Sequence, residues 1–247
     1  MAGRWPACEP HLPEIRGILF DIDGTLFDTP GSMLAGARLA MADVVADEEI
    51  ATAGARAWLA DEEARYEAYL AGELTFVEQR TQRVVDLFLA LGLPAPDLAT
   101  ASGWLARYRE AQLQTTIAYD DVRDCLRACA GYALGAVSNN DGGWQRIRIE
   151  HAGLDGWIRH VIGIDDAGAA KPEPAIFHAG CAALGLAPAQ VAYVGDDLAL
   201  DARGAAGAGL YGIWLDRLGV GPEPGDVARI TTLAELVSRL GNRDGVR

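Results

Sequence analysis

The chain has 247 residues, of which half are hydrophobic and 23% are charged. This balance is typical of a globular protein with a buried core and excludes a disordered chain. The formal net charge of −14 disfavours nucleic acid and anionic membrane surfaces as partners, because like charges repel at long range. Any phosphate group that the protein handles must therefore be bound locally.

The beginning of the chain and its cysteines indicate the cellular compartment. Three prolines and two acidic residues interrupt the first 17 residues, where a signal peptide needs a continuous apolar segment. No apolar run approaches the ~18 residues of a membrane-spanning helix. The four cysteines lack zinc-binding spacing and fit reduced thiols: Cys8, Cys125, Cys129 and Cys181. We expect a cytoplasmic protein in which residues 1–13 form a flexible extension.

The first predicted elements are one strand and a long helical segment. An apolar run over residues 15–20 predicts a buried strand that ends at Asp21-Ile22-Asp23-Gly24. From about residue 32 to residue 115 the apolar spacing is helical only, with breaks at Gly72 and at Gly92-Leu93-Pro94. A group of several helices therefore follows the first strand.

After residue 121, strands alternate again with helices. Further strands are predicted at residues 132–137, 160–164, 191–194 and 210–215. Such alternation is typical of an α/β fold, a parallel sheet with right-handed crossovers. In these sheets ligands bind at the carboxyl ends of the strands.

Polar side chains follow three of the predicted strands. Asp21 and Asp23 end the first, Ser138 ends the second, and Asp196 follows a third. Two carboxylates two residues apart are costly unless a divalent cation lies between them and an anion, and Mg²⁺ prefers such oxygen ligands. One carboxylate can then attack phosphorus while the other handles the proton of the leaving group. The pattern indicates a phosphate site at this edge of the sheet.

A basic residue is also expected at this site. Lys171 is the only lysine among 21 Lys and Arg residues, and its compact ammonium can neutralise phosphoryl charge while Ser138 and backbone amides bind phosphoryl oxygens. Taken singly, each cluster has an ordinary alternative: a solvated turn, a helix-capping loop, or acidic residues that complement a helix dipole. Their order along the chain favours the phosphate site.

Four short motifs resemble those of the haloacid dehalogenase-like hydrolase superfamily, in the same order. They are Asp21-Ile22-Asp23-Gly24-Thr25-Leu26, Ser138-Asn139, Lys171-Pro172, and Gly195-Asp196-Asp197 with Asp201. The resemblance implies a Rossmann-like parallel-sheet core, formed by residues 14–27 and 117–247, and an inserted α-helical cap domain over residues 28–116.

The resemblance also implies roles for individual residues. Asp21 forms an aspartyl-phosphate, and Asp23 acts first as acid and then as base. Mg²⁺ is bound by Asp21, the backbone carbonyl of Asp23 and Asp196, with Asp197 and Asp201 as further possible ligands. The residues expected to bind the substrate phosphate are Thr25, Ser138, Asn139 and Lys171.

The family contains several chemistries, and particular residues choose among them. Its dehalogenases lack an aspartate at the position of Asp23, because a departing halide needs no proton. Its phosphonatases use a lysine of the cap, whereas the only lysine here lies outside it. Its β-phosphoglucomutase-like members carry a histidine where this chain has Met33. We therefore predict a magnesium-dependent phosphatase acting on a small phosphorylated metabolite of the sugar phosphate or nucleotide class. A sugar phosphomutase and a catalytically silent phosphate-binding protein are the alternatives.

The predicted helical segment also contains candidates for substrate recognition. Four aromatic residues are candidates for a surface that holds a base or sugar, with helix packing as the alternative: Trp58, Tyr66, Tyr69 and Phe76. Five arginines are candidate anion contacts, with a solvated helix face as the alternative: Arg65, Arg80, Arg83, Arg107 and Arg109. The sequence does not indicate which of these face the site.

Overall fold

A computed structural model describes residues 14–61 and 63–240 of the chain. The expected extension over residues 1–13 and the last seven residues lie outside the described part. None of the helices within that part is long and apolar enough to cross a membrane.

Six parallel strands form one sheet in the order β3-β2-β1-β4-β5-β6. The strands are β1 (Gly17–Phe20), β2 (Ala133–Val137), β3 (His160–Ile162), β4 (Val191–Gly195), β5 (Tyr211–Leu215) and β6 (Ala228–Ile230). From β1 the chain continues to β2 and then β3 on one side, and β4, β5 and β6 follow in turn on the other side of β1. The strand order therefore reverses between β1 and β4. The carboxyl ends of strands beside such a reversal form the usual ligand crevice of an α/β fold. The predicted fold class is confirmed.

The central strands are apolar throughout because helices cover both faces of the sheet. Every residue of β1 and of β4 is buried. The predicted strands agree with the structure to within a few residues, except that β6 was not predicted. It is short and has Arg229 at its centre, so it contains no continuous apolar run that would indicate a strand.

Six helices lie between β1 and β2 in the described part of the chain, and we call the first five, over residues 29–114, the helical block. They are α1 (Thr29–Ala42), α2 (Glu48–Ala60), α3 (Arg65–Leu70), α4 (Phe76–Ala90) and α5 (Leu98–Gln114). Side-chain caps begin four of them: Asp28 accepts from Gly31 in α1, Asp47 accepts from the first turn of α2, Thr75 forms a capping box with Glu78 in α4, and Asp97 accepts from Thr100 in α5.

The remaining α-helices connect the strands of the sheet, except α11, which follows the last strand. They are α6 (Val122–Ala128), α7 (Gly142–His151), α8 (Ile164–Ala167), α9 (Pro174–Leu184), α10 (Gly204–Gly207) and α11 (Leu236–Leu240), with a π-helical turn at Leu198–Arg203 before α10. The third predicted strand ends at Ile162, two residues early, because Ile164 begins α8.

The helical block has a hydrophobic core of its own. Trp58, Trp104 and Tyr108 form its centre, with Trp104 and Tyr108 stacked at 5.5 Å and Trp58 edge-on to both. The two faces of the sheet carry separate clusters of buried side chains. The exact division of the chain at residues 28 and 116 stays a prediction.

Candidate active site

The polar residues that end β1, β2 and β4 lie at one edge of the sheet, because these strands are hydrogen-bonded neighbours. Asp21 follows β1 and its backbone N–H donates to Val194 of β4 at 2.8 Å. Ser138 follows β2, and its N–H donates to Ile162 of β3 at 3.0 Å. The register of the parallel strands thus fixes the backbone beneath the side chains that the sequence singles out.

The loop after β1 needs a glycine to pass beside the loop after β4. Gly24 has a φ of +88°, a conformation that favours glycine. A Cβ at this position would lie only 2.3 Å from a carboxylate oxygen of Asp196. The next residue, Thr25, is fully buried and its Oγ1 has no hydrogen-bond partner. This leaves a hydroxyl available at the predicted phosphate site.

Lys171 bridges two carboxylates below this loop. Its Nζ lies 2.6 Å from Asp21 Oδ1 and 2.7 Å from Asp201 Oδ1, and all three side chains are at least 95% buried. Tyr193 of β4 also donates to Asp201, at 3.2 Å. Burial opposes the charge on Lys171, but Asp201 and Asp21 outweigh it and raise the pKa of the ammonium. The lysine is therefore a fixed cation beside Asp21.

Three carboxylates converge on this cation. Asp21, Asp196 and Asp201 each offer an oxygen within 4.8 Å of the others. Burial raises the pKa of Asp21 despite Lys171, and burial together with Asp201 raises that of Asp196 to about 6. The second oxygen of Asp21, Oδ2, is buried without a partner. Three carboxylates facing one ammonium, with an unpartnered oxygen among them, fit a hard divalent cation such as Mg²⁺.

The structure separates the two other acidic residues of the fourth motif. Asp197 accepts hydrogen bonds from Ala199 N–H and Leu200 N–H, both at 2.8 Å, and so caps the π-helical turn. Asp201 instead turns inward, where its Oδ2 accepts from the backbone N–H of Asp197 at 3.0 Å. Asp201 is thus the member of this pair that lies in the carboxylate cluster.

Asp23 belongs to a different network, centred on α7. Its carboxylate lies 2.5 Å from Arg148 Nη1 and accepts from Gln145 Nε2 at 2.6 Å, from Thr29 Oγ1 at 2.7 Å and from Ser138 Oγ at 3.3 Å. Burial favours the neutral acid, but the charge and hydrogen bond of Arg148 outweigh it and lower the pKa of Asp23. Asp23 is therefore held as an oriented carboxylate.

Gln145 and Arg148 were not singled out from the sequence. Both are fully buried on α7, which Asp141 caps by accepting from Trp144 N–H at 2.7 Å. The buried stripe of α7 combines these two polar residues with Trp144 and Ile149. A polar residue on the apolar stripe of a helix that begins at the site is the signal that could have found them.

Asn139 holds the loop that carries Lys171. Its Oδ1 accepts from the Lys171 N–H at 2.6 Å, and its Nδ2 donates to the Lys171 carbonyl at 3.0 Å. The Lys171-Pro172 peptide bond is cis. Because both ends of the amide are engaged, Asn139 fixes the lysine backbone; its expected contact with phosphate stays a prediction.

Besides Thr29, a second residue of the helical block reaches this site directly. The hydroxyl of Tyr66 in α3 donates to the backbone carbonyl of Asn139 at 2.5 Å. Burial raises the pKa of Tyr66, and nearby Asp23 adds to the rise while Lys171 and Arg80 oppose it. The hydroxyl therefore stays protonated and serves as a donor between α3 and the loop after β2.

Comparison with known proteins agrees with this geometry. A family model for haloacid dehalogenase-like hydrolases matches residues 15–209. The glyceraldehyde 3-phosphate phosphatase of Methanopyrus kandleri is 30% identical over 216 residues, 82% of this chain and 84% of that protein. The phosphoglycolate phosphatase of Xylella fastidiosa is 29% identical over 203 residues, 79% of this chain and 77% of that protein.

A solved structure extends the likeness to three dimensions. The crystal structure of an HAD phosphatase from Thermococcus onnurineus matches with a TM-score of 0.61 at 28% identity, over 92% of this chain and 99% of that one. The family match at residues 15–209 includes all the predicted catalytic, phosphate-binding and metal-binding residues and the whole helical block.

Proposed function

The chain belongs to the haloacid dehalogenase-like hydrolases and acts on phosphate esters, and from this premise we propose a magnesium-dependent phosphatase of small phosphate monoesters with Asp21 as its nucleophile. The main support comes from the two oxygens of Asp21. Oδ1 is held by Lys171 at 2.6 Å, whereas Oδ2 is buried without a partner. A carboxylate fixed through one oxygen with the other available suits nucleophilic attack.

The metal would be held by Asp21, Asp196 and the backbone carbonyl of Asp23, with Asp201 beside them. Bound Mg²⁺ would neutralise charge on the phosphoryl oxygens and orient the ester. The excess of carboxylates over cations in this cluster supports the assignment.

The reaction divides between two aspartates. Asp21 Oδ2 attacks phosphorus, the bond from phosphorus to the ester oxygen breaks, and the departing oxygen takes a proton from Asp23. Water then attacks phosphorus of the aspartyl-phosphate, Asp23 accepts its proton, and inorganic phosphate leaves as Asp21 is restored. Lys171, Ser138 and Thr25 would bind phosphoryl oxygens during both steps.

The environment of Asp23 favours one of its two roles. Its pairing with Arg148 stabilises the carboxylate, which is the form that accepts a proton from water. The protonated acid is the minor form in the resting protein. We infer that Arg148 and Gln145 orient Asp23 as the base for the second step.

The helical block would act as the cap that recognises the substrate. The relatives do not choose between substrate classes, because phosphoglycolate carries a carboxylate and glyceraldehyde 3-phosphate does not. Small phosphorylated metabolites remain the proposed class, including sugar phosphates and nucleotides.

Hydrolysis of an aryl phosphate tests this function. We expect release of phosphate with added Mg²⁺ and loss of release with a chelator. Asp21→Asn should lower kcat about 10³-fold or more, because the nucleophile is lost. Asp124→Asn, an exposed carboxylate on α6, is the matched control and should retain the wild-type rate.

The outcomes separate the alternatives. Retention of activity in Asp21→Asn would contradict the mechanism. Transfer of phosphate between positions of a sugar, without release, would indicate the mutase. A protein inert toward a broad panel of esters with Mg²⁺ would indicate a silent binding protein.

A further inference from the structure

Arg80 on α4 is a buried cation without an anionic partner. Arg80 is 8% exposed, and two donor nitrogens of its guanidinium, Nε and Nη1, are buried without a hydrogen-bond acceptor. No carboxylate within the described residues forms an ion pair with it. Because a buried guanidinium is costly unless its charge and donors are matched, something outside the described side chains is expected to match them.

Arg83, one turn further along α4, is the instructive contrast. It is equally buried, at 7% exposed, and stacks over Trp58 at 4.3 Å. Its Nε lies 3.2 Å from Asp61, and it also donates to the Trp58 carbonyl. The helical block thus supplies a carboxylate to Arg83, a buried arginine that packs within the block. Among the described residues, Arg80 has no such carboxylate.

Aromatic rings fix the position of the Arg80 guanidinium. Its central carbon lies 5.0 Å from the ring centroid of Phe76, 5.7 Å from that of Tyr108 and 5.9 Å from that of Trp58. These rings hold the planar group by cation–π attraction but accept no conventional hydrogen bond from its edge. That edge matches the paired oxygens of a carboxylate or a phosphate.

A second cation lies beside the first. Arg109 on α5 sits 5.6 Å from the Phe76 ring and 5.1 Å from the Trp144 ring. Arg80 and Arg109 both line a cavity of about 230 Å³ between α4 and α5. Burial lowers the pKa of Arg109, and Arg80 lowers it further. Within the described residues neither cation has an ion-pair partner, although the charge of Asp141 acts favourably on Arg109.

This cavity adjoins the catalytic loops. Trp144, which packs against Arg109, lies on α7 next to Gln145, a partner of Asp23. On the other side a series of rings runs from the Tyr66 hydroxyl at Asn139 through Tyr69, at 6.0 Å, to Phe76, at 5.7 Å. The charges of Asp23, Lys171 and Arg80 all act on Tyr66.

We propose that Arg80, assisted by Arg109, binds a second anionic group of the substrate, so that the preferred esters carry a carboxylate or a second phosphate besides the phosphate that reacts at Asp21. This rests on the proposed phosphatase function. The shared chemistry is a planar or tetrahedral oxyanion at the end of a short ester.

Matched esters test the proposal on the wild-type protein. The probes are 2-phosphoglycolate, ethylene glycol bisphosphate and ethyl phosphate, which differ in the group that replaces the methyl end. We expect kcat/KM for one anionic ester to exceed that for ethyl phosphate about 10- to 100-fold, the range of a charged hydrogen bond. The preferred anionic ester distinguishes a carboxylate site from a phosphate site.

Variants assign the preference to the arginines. In Arg80→Gln the ratio of kcat/KM between the preferred anionic ester and ethyl phosphate should fall about tenfold or more, chiefly through a higher KM. Arg80→Lys should restore part of it. Arg56→Gln, an exposed arginine of α2, should keep the wild-type ratio. If Arg80→Gln does not fold, Arg109→Gln should lower the ratio in the same direction.

The failure of this proposal differs from that of the proposed function. Wild-type protein that hydrolyses aryl phosphate but prefers neither anionic ester overturns the second anion site alone. A preference that survives both Arg80→Gln and Arg109→Gln also overturns it. Absence of aryl phosphate hydrolysis overturns the phosphatase function and with it this site.

Discussion

The sheet edge pairs both of its buried cations, whereas the helical block leaves one of its own, Arg80, without an anion among the described residues. At the sheet edge, Arg148 is paired with Asp23 at 2.5 Å and Lys171 with Asp21 and Asp201 at 2.6 and 2.7 Å, although Asp21 Oδ2, Thr25 Oγ1 and Arg148 Nε lack a hydrogen-bond partner there. In the helical block, more buried polar atoms have no hydrogen-bond partner: Trp58 Nε1, both amide atoms of Gln79, Arg80 Nε and Nη1, Arg83 Nε, Trp104 Nε1, Tyr108 Oη and Gln112 Oε1.

This difference indicates that the two regions have different roles, catalysis at the sheet edge and substrate recognition in the helical block. Catalytic groups must be held in one geometry before the substrate arrives, and paired charges provide that. Groups that recognise the substrate gain affinity only if their hydrogen bonds are left open for it. An unpartnered polar interior is costly in a free protein, and its concentration in α2, α4 and α5 is what a recognition element requires.

The largest effect is expected from breaking a pair at the sheet edge. Arg148→Met leaves the Asp23 carboxylate without its cation in a largely buried site. Stability should fall by about 3 kcal/mol, the lower end for a broken buried pair because 27% of the Asp23 side chain is exposed. The kcat should fall about 10²-fold or more as Asp23 loses its orientation. Urea unfolding and steady-state kinetics measure the two effects.

Two controls sharpen this result. Arg146→Met removes a neighbouring arginine of α7 whose pair with Asp166 is at the surface, so stability should change by less than about 1 kcal/mol. Asp23→Asn combined with Arg148→Met removes the stranded charge and should recover stability but not activity. A fully stable Arg148→Met single variant would contradict the comparison.

A smaller effect is expected within the helical block. Arg83→Met should cost about 2–3 kcal/mol, because it strands Asp61, whose side chain is 11% exposed. Arg80→Met strands nothing and removes an unmatched charge, so stability should be unchanged or rise by up to about 1 kcal/mol. Thermal unfolding of both variants under the same conditions checks this. An equal loss in both would mean that Arg80 serves only to pack against its rings.

The sequence predicts the sheet well because parallel strands are buried on both faces and read as apolar runs. Strand β1 ends immediately before Asp21, and strand β4 ends at Gly195, immediately before Asp196. β6 was not predicted because Arg229 interrupts the apolar residues of this short strand.

The site is predictable where it lies in a strand-end motif and not where it lies on a helix face. Asp21, Lys171 and Asp196 follow from local patterns, and the structure brings them together. Arg148 does not, because its partner Asp23 is 125 positions away and only its place on the buried stripe of α7 distinguishes it from a surface arginine. The sequence also left open whether Asp197 or Asp201 lies at the metal site. The answer depends on the direction of the side chains, which only the fold supplies.

The smallest effect concerns a paired carboxylate that does not itself contact the proposed catalytic residues. Asp121 accepts from Arg217 at 3.0 and 3.1 Å, from Thr232 Oγ1 at 2.8 Å and from Leu233 N–H at 2.9 Å. Burial raises its pKa, but hydrogen bonds from Arg217 and Thr232 outweigh burial and lower it. Because the folded pKa lies below the unfolded value of about 3.9, the carboxylate stabilises the fold at higher pH and ceases to do so as pH falls through the folded pKa.

Asp121→Asn should therefore cost about 1–2 kcal/mol at pH 7, and the gap from wild type should narrow as pH falls below the unfolded value of about 3.9. Asp124→Asn removes an exposed partner of Arg127 on the same helix and should change stability by less than about 0.5 kcal/mol at either pH. Urea unfolding at pH 7, 5 and 3 measures both. A gap that does not depend on pH would mean that the hydrogen-bond geometry, not the charge, stabilises this part of the sheet region, and the contrast with the helical block would then concern hydrogen bonding alone.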